Sequence, residues 1–137
     1  MPDPISTTAI AVGSWFAQQV AAKGFEAVWK RFKRSRILDR VIKRTSRRFT
    51  PSEKRVSDTV NNCLEQWTDH PSFERLFRGL AEGEQIDEDG IVNHFLENGD
   101  YPESTTNQSA HAIVEFFLQH LRACIQTGGG CNLLSIR

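Results

Sequence analysis

A chain of 137 residues, 39% hydrophobic and 25% charged, is long enough for one domain with its own core and too apolar for full-length disorder. Its formal net charge of zero conceals a polarity: residues 1–60 hold 13 Lys and Arg against 5 Asp and Glu, and residues 61–137 hold 4 against 12. A basic half of +8 and an acidic half of −8 exclude a uniformly cationic nucleic-acid binder, and they leave open both internal pairing and an acidic partner.

The first predicted helix covers Thr7 to Phe32, with Ile10, Val12, Trp15, Phe16, Val20, Phe25, Val28, Trp29 and Phe32 at spacings of three and four. Gly13 and Gly24 each weaken a helix by about 1 kcal/mol relative to Ala, so each marks either a bend or a close helix contact. The second helix runs from Arg36 to Phe49, straight out of the first or after a break. Ile37, Leu38, Val41, Ile42 and Phe49 form its apolar stripe, and Arg36, Arg40, Lys43 and Arg47 form a basic stripe on another face.

Thr50-Pro51-Ser52-Glu53 reads as a capping box opening a third helix to about Thr68, with Val56, Val60, Leu64 and Trp67 turned inward. Asp69-His70-Pro71 makes a turn. Phe73, Leu76, Phe77 and Leu80 then define a short helix ending near Gly83. Asp87 caps a helix carrying Ile91, Val92, Phe95 and Leu96, which Asn98-Gly99 closes with a left-handed residue. After a polar loop from Tyr101 the last helix spans Asn107 to Gln126, burying Ile113, Val114, Phe117, Leu121, Cys124 and Ile125. The expected fold is all-α, a bundle of five to six helices with short loops. One helical domain covers residues 1–127, and 128–137 form a flexible tail behind Gly128-Gly129-Gly130.

Candidate chemistry is sparse. The triglycine is followed by Cys131 and Asn132 rather than a lysine and a hydroxyl, so it is not a phosphate loop. His70, His94, His111 and His120 have no ligand spacing, and Asp87-Glu88-Asp89-Gly90 lacks the alternation of a calcium loop. Cys63, Cys124 and Cys131 form no CxxC pair. The first two sit on helical apolar faces as reduced core thiols, and no signal segment precedes the first helix, which places the protein in the cytoplasm. No catalytic set, cofactor, metal or small-molecule substrate is expected.

The sharpest feature is Lys23 to Arg48, with eleven basic residues against Glu26 and Asp39. Its candidate interaction surface comprises Lys30, Arg34, Arg36, Arg40, Lys43, Arg44, Arg47 and Arg48. Such a face is read as solvated or internally paired, as a surface for an anionic membrane, as a nucleic-acid backbone binder, or as a dock for an acidic protein. Most of the interleaved Phe25, Trp29, Phe32 and Phe49 fit the apolar stripe, where they are core rather than stacking platforms. Trp15, Trp29 and Trp67 fit core packing better than a ligand cage.

The order of features resembles the helical region ahead of the NTPase module in bacterial NACHT-type STAND proteins, the NLR-like proteins of antiphage defence. The resemblance runs through FEAVWKRFKRSRILDRVIKR, CLEQWTDHPSFERLFRGL, IVNHFLENGDY and AHAIVEFFLQHLRACI, over residues 5–127. It implies an all-α module that senses, signals or self-associates, with a nucleotide-driven engine downstream. No Walker motif occurs in this chain, so the resemblance implies either an excised domain or a freestanding relative, and it carries no catalytic residues over. The function expected is a non-catalytic protein-interaction or signalling module for a protein partner or a downstream domain of the same protein, with self-association open. A membrane-associating effector using residues 5–48 and a nucleic-acid binder using the basic stripe are the alternatives.

Overall fold

A computed structural model describes residues 4–49, 54–84, 86–99 and 107–126. These form seven helices and no strand: α1 (Pro4–Lys23), α2 (Phe25–Arg34), α3 (Ile37–Phe49), α4 (Lys54–Asp69), α5 (Pro71–Ala81), α6 (Glu88–Asn98) and α7 (Asn107–Gln126). The all-α bundle holds, with one more helix than the pattern suggested. The capping box of Thr50 to Glu53 and the tail from Gly128, Cys131 included, lie outside the described residues.

The additional helix comes from Gly24. Its φ of 83° and ψ of 149° lie in territory that L side chains rarely adopt, so the helix expected over Thr7 to Phe32 breaks there into α1 and α2. Gly13, the other weak point, stays helical. A Cβ built on it would sit 2.7 Å from the Leu80 carbonyl oxygen, so hydrogen at that position is what lets α1 lie directly on α5.

The corner between α2 and α3 is built from polar atoms. Ser35 Oγ donates to the Phe32 carbonyl at 2.6 Å and accepts from the Ile37 amide at 3.3 Å. Arg36 takes a left-handed φ of 63°, so α3 starts one residue later than the basic stripe suggested.

Further on, His70 serves as the N-cap of α5. Its Nδ1 accepts the Ser72 amide at 3.1 Å, and Pro71 occupies the first turn, where its missing N–H costs nothing. Gly83, at φ 89°, closes α5, with Glu84 N bonded to Gly79 O and Gly83 N to Leu80 O. Asp87 caps α6 as expected, accepting the Gly90 amide at 2.8 Å. Gly99, expected to be left-handed, has φ −96°. Its small size serves close packing instead: a Cβ there would meet the Phe95 and Cys63 carbonyl oxygens at 2.8 and 3.1 Å.

The core is aromatic and continuous. Phe16 of α1 meets Trp29 and Phe32 of α2 and Phe77 of α5. Trp29 also reaches Phe73, and Phe73 leads to Trp67 of α4. Trp67 in turn packs against Phe95 of α6 and Phe117 of α7. Phe16, Phe73, Trp67, Phe95 and Phe117 are fully buried, each contributing roughly 1.5–3 kcal/mol by leaving water. All three tryptophans are thus core residues, Trp67 with no exposure at all. Cys63 is a buried thiol and Cys124 a partly buried one, neither in a disulfide. One apolar assignment fails: Ile10 is 54% exposed, because α1 turns that position outward between its buried neighbours Ala9 and Val12.

Candidate functional site

The basic face is built by α3 and the end of α2. Along α3 the residues alternate in pairs. Ile37, Leu38, Val41, Ile42, Thr45 and Ser46 are buried, and Asp39, Arg40, Lys43, Arg44, Arg47 and Arg48 are exposed. This is one helix with an inner and an outer face. The inner face packs against α4 and α7. Its two polar residues satisfy themselves: Thr45 Oγ1 donates to the Val41 carbonyl at 2.8 Å and Ser46 Oγ to the Lys43 carbonyl at 3.0 Å. Such back-bonding lets Thr45 and Ser46 continue an apolar stripe that the composition of the segment breaks off after Ile42.

All eight candidate residues, Lys30, Arg34, Arg36, Arg40, Lys43, Arg44, Arg47 and Arg48, are exposed. Among the described residues none of them forms an ion pair. Arg48 has an organised contact, its guanidinium lying 4.8 Å from the centre of the Phe116 ring. Arg34 also lies in the last turn of α2, and Arg47 and Arg48 in that of α3, where a cation complements the helix dipole. Lys33 belongs to the same basic run but does a different job. Its Nζ donates to the Thr68 carbonyl at 3.0 Å and lies 3.6 Å from Asp69, tying α2 to the end of α4.

Of the aromatic residues interleaved with these cations, Trp29 and Phe32 face inward, and the side chain of Phe49 lies outside the described residues. Trp29 and Phe32 are buried, and Phe25 is half-buried, stacked on Trp29 with Arg78 across its ring at 4.7 Å. The face presents guanidinium and ammonium groups, with the Phe116 ring already engaged under Arg48 and with Trp29 and Phe32 withdrawn into the core.

His120 on α7 registers this field. Burial, with the nearby charges of Arg48 and Arg44, lowers the pKa of its imidazole below the ordinary value. Its Nε2 is buried with no hydrogen-bond partner among the described residues.

A second polar feature escapes sequence reading. Trp67 Nε1 donates to His94 Nδ1 at 2.9 Å, which leaves the other ring nitrogen to carry the proton and donate to the Ser72 carbonyl at 3.1 Å. One neutral imidazole thus links α4, α5 and α6. Burial lowers its pKa, against smaller opposing effects from the Ser72 carbonyl and Glu97, while His70 adds to the lowering. The unfolded chain takes up a proton at about pH 6.5 and the folded one only below that. Stability therefore falls as pH drops through that window, since the unfolded state then binds more protons. The midpoint of urea unfolding should decrease below about pH 6.5, and His94→Gln should flatten the decline. A midpoint equally steep in His94→Gln would remove His94 as the cause.

Two surface concavities were not foreseen. One, of about 590 Å³, is lined by Ser6 and Ile10 of α1 and by Glu84, Ile86 and Asp87 of the α5–α6 connection. A smaller one adjoins it through Ile10 and Glu84 and extends along Gly13, Ser14 and Ala17. Neither is lined by a histidine or cysteine. No group of three or more His, Cys, Asp or Glu among the described residues is placed to hold a metal ion. His111 pairs with Glu88, joining α7 to the start of α6. Among the described residues no helix is long and apolar enough to cross a membrane.

Comparison with protein-family models, with curated proteins and with solved structures finds no match to this chain.

Proposed function

We propose that the protein is a non-catalytic helical interaction module whose α2–α3 face docks an acidic surface on a protein partner or on a downstream domain of its own chain. The signalling role of NLR-like bacterial defence proteins is the biological setting the resemblance suggests. One observation carries the reading. Lys30, Arg34, Arg36, Arg40, Lys43, Arg44 and Arg47 are exposed without an ion-pair partner among the described residues, on a face whose neighbours Trp29 and Phe32 are buried in the core. Guanidinium groups fixed on one helical face suit carboxylates, which they can grip with paired hydrogen bonds.

The alternatives ask more of the fold. Insertion into a bilayer through residues 5–48 would draw on Phe16 and Trp29, which are 0% and 7% exposed, so α1 and α2 would have to leave the bundle first. Nucleic-acid binding would rest on phosphate contacts alone, with a steep loss of affinity in salt.

The test compares the wild type with Arg40→Glu/Lys43→Glu/Arg47→Glu, all at exposed positions, in one set of conditions. Immobilised wild type should capture an acidic protein that the triple variant loses, and neither should pellet with phosphatidylserine vesicles or shift duplex DNA. Salt-resistant pelleting of the wild type with those vesicles would overturn the proposal in favour of a membrane device.

A further inference from the structure

The concavity beside α1 has the anatomy of a docking surface. Ile10, 54% exposed, is the large apolar side chain that the described surface leaves in solvent, and it stands on the groove wall near Ile86. Ser6, Glu84 and Asp87 complete the lining, and Glu82 on the same connection and Asp89 in the first turn of α6 are exposed. An apolar centre within a charged rim is how protein interfaces are commonly arranged. Glu82, Glu84 and Asp89 form no ion pair among the described residues, whereas Asp87 already holds the α6 amide of Gly90.

The cationic face lies elsewhere on the same molecule. α3 packs against α4 and α7, while the groove lies between α1 and the α5–α6 connection. Within one copy, no ion pair among the described residues joins the two surfaces. Each carries the charge the other lacks, and the sums of +8 and −8 in the two halves balance.

We infer that the acidic groove at Ile10 receives the α2–α3 basic face of a second copy, so that the chain associates head to tail with itself. This rests on the interaction-module reading and names its acidic partner as another copy. Two different surfaces meet at such a junction, so each added copy presents a fresh face at either end and the assembly grows unless its rotation closes a ring. The attraction is between exposed charges and is screened over about 10 Å at moderate salt, so growth is a low-salt property.

Sedimentation velocity of the full chain, at rising concentration in low and in high salt, tests this. The wild type should give a ladder of oligomers in low salt that collapses to monomer in high salt. A basic-face variant, Arg40→Gln/Lys43→Gln/Arg47→Gln, and a groove variant, Glu84→Gln/Asp89→Asn, should each stay monomeric. Mixed together they retain one intact surface apiece and should stop at a one-to-one pair. Ile10→Ser should weaken association roughly tenfold, by removing the apolar centre without touching a core residue. Circular dichroism of each variant checks that the helices remain. A wild type that stays monomeric at high concentration in low salt overturns the inference, as do oligomers that both neutralised variants retain. Capture of a different acidic protein by the basic face would then leave the interaction-module reading standing, and loss of both would end it.

Discussion

Trp67→Ala should cost about 4 kcal/mol of folding stability, within the range of roughly 3–5 kcal/mol for truncating a buried aromatic. The side chain has no exposure and meets Phe73, Phe95 and Phe117, so the space it vacates is walled by rings from three other helices. Those rings cannot collapse inward without disturbing their own packing. The substitution also strips the donor from His94 Nδ1, leaving a half-buried acceptor unsatisfied. Trp67→Phe separates the two effects: it keeps most of the volume, loses the N–H, and should cost about 1–2 kcal/mol. Urea unfolding followed by circular dichroism measures both. A loss under about 1 kcal/mol for Trp67→Ala would mean that the ring is not the keystone its contacts make it.

Gly13→Leu should be comparably damaging, at about 3 kcal/mol, although leucine is the better helix former. The two effects have opposite sign. Helix propensity favours the substitution by somewhat less than 1 kcal/mol. Against it, a Cβ would lie 2.7 Å from the Leu80 carbonyl oxygen and 2.9 Å from the Leu80 Cβ, and the oxygen is backbone that cannot rotate aside. α1 must then lift from α5, loosening Phe16 from Phe77. Gly13→Ala should also destabilise, by about 1 kcal/mol net. A Gly13→Ala protein with a raised midpoint of thermal unfolding would show that the two helices do not approach this closely.

Where local chemistry alone decides, the sequence was a sound guide. α7 spans the residues expected, Asp87 opens α6 and Gly83 closes α5 as read. Of the cations proposed as a surface, Arg40, Lys43, Arg44, Arg47 and Arg48 are exposed because α3 alternates inner and outer pairs, a pattern visible in Ile37-Leu38-Asp39-Arg40-Val41-Ile42-Lys43-Arg44. The limits are equally physical. Gly13 and Gly24 look alike in sequence, yet one admits a neighbouring helix and the other breaks a helix. What distinguishes them is Leu80, sixty-seven residues away, and a backbone angle. Ile10 fits the helical period but faces solvent, because periodicity locates a stripe without fixing its edges. Likewise nothing in a spacing of 27 residues announces that His94 receives the indole proton of Trp67. The acidic groove depends on Ile10 of α1 lying beside Glu84, far along the chain, a juxtaposition only the fold creates.

The separation of cations on α2 and α3 from carboxylates around the α5–α6 connection has a consequence for how this molecule moves. A net charge of zero describes its response to a uniform potential but not to a gradient. In a gradient the whole body behaves as a permanent electric moment and rotates while still nanometres from what it approaches. Its orientation on arrival is therefore selected during diffusion, before short-range contacts form, and encounters begin with one particular side foremost. Raising the ionic strength would leave the fold intact and still abolish that alignment, returning the chain to random collisions.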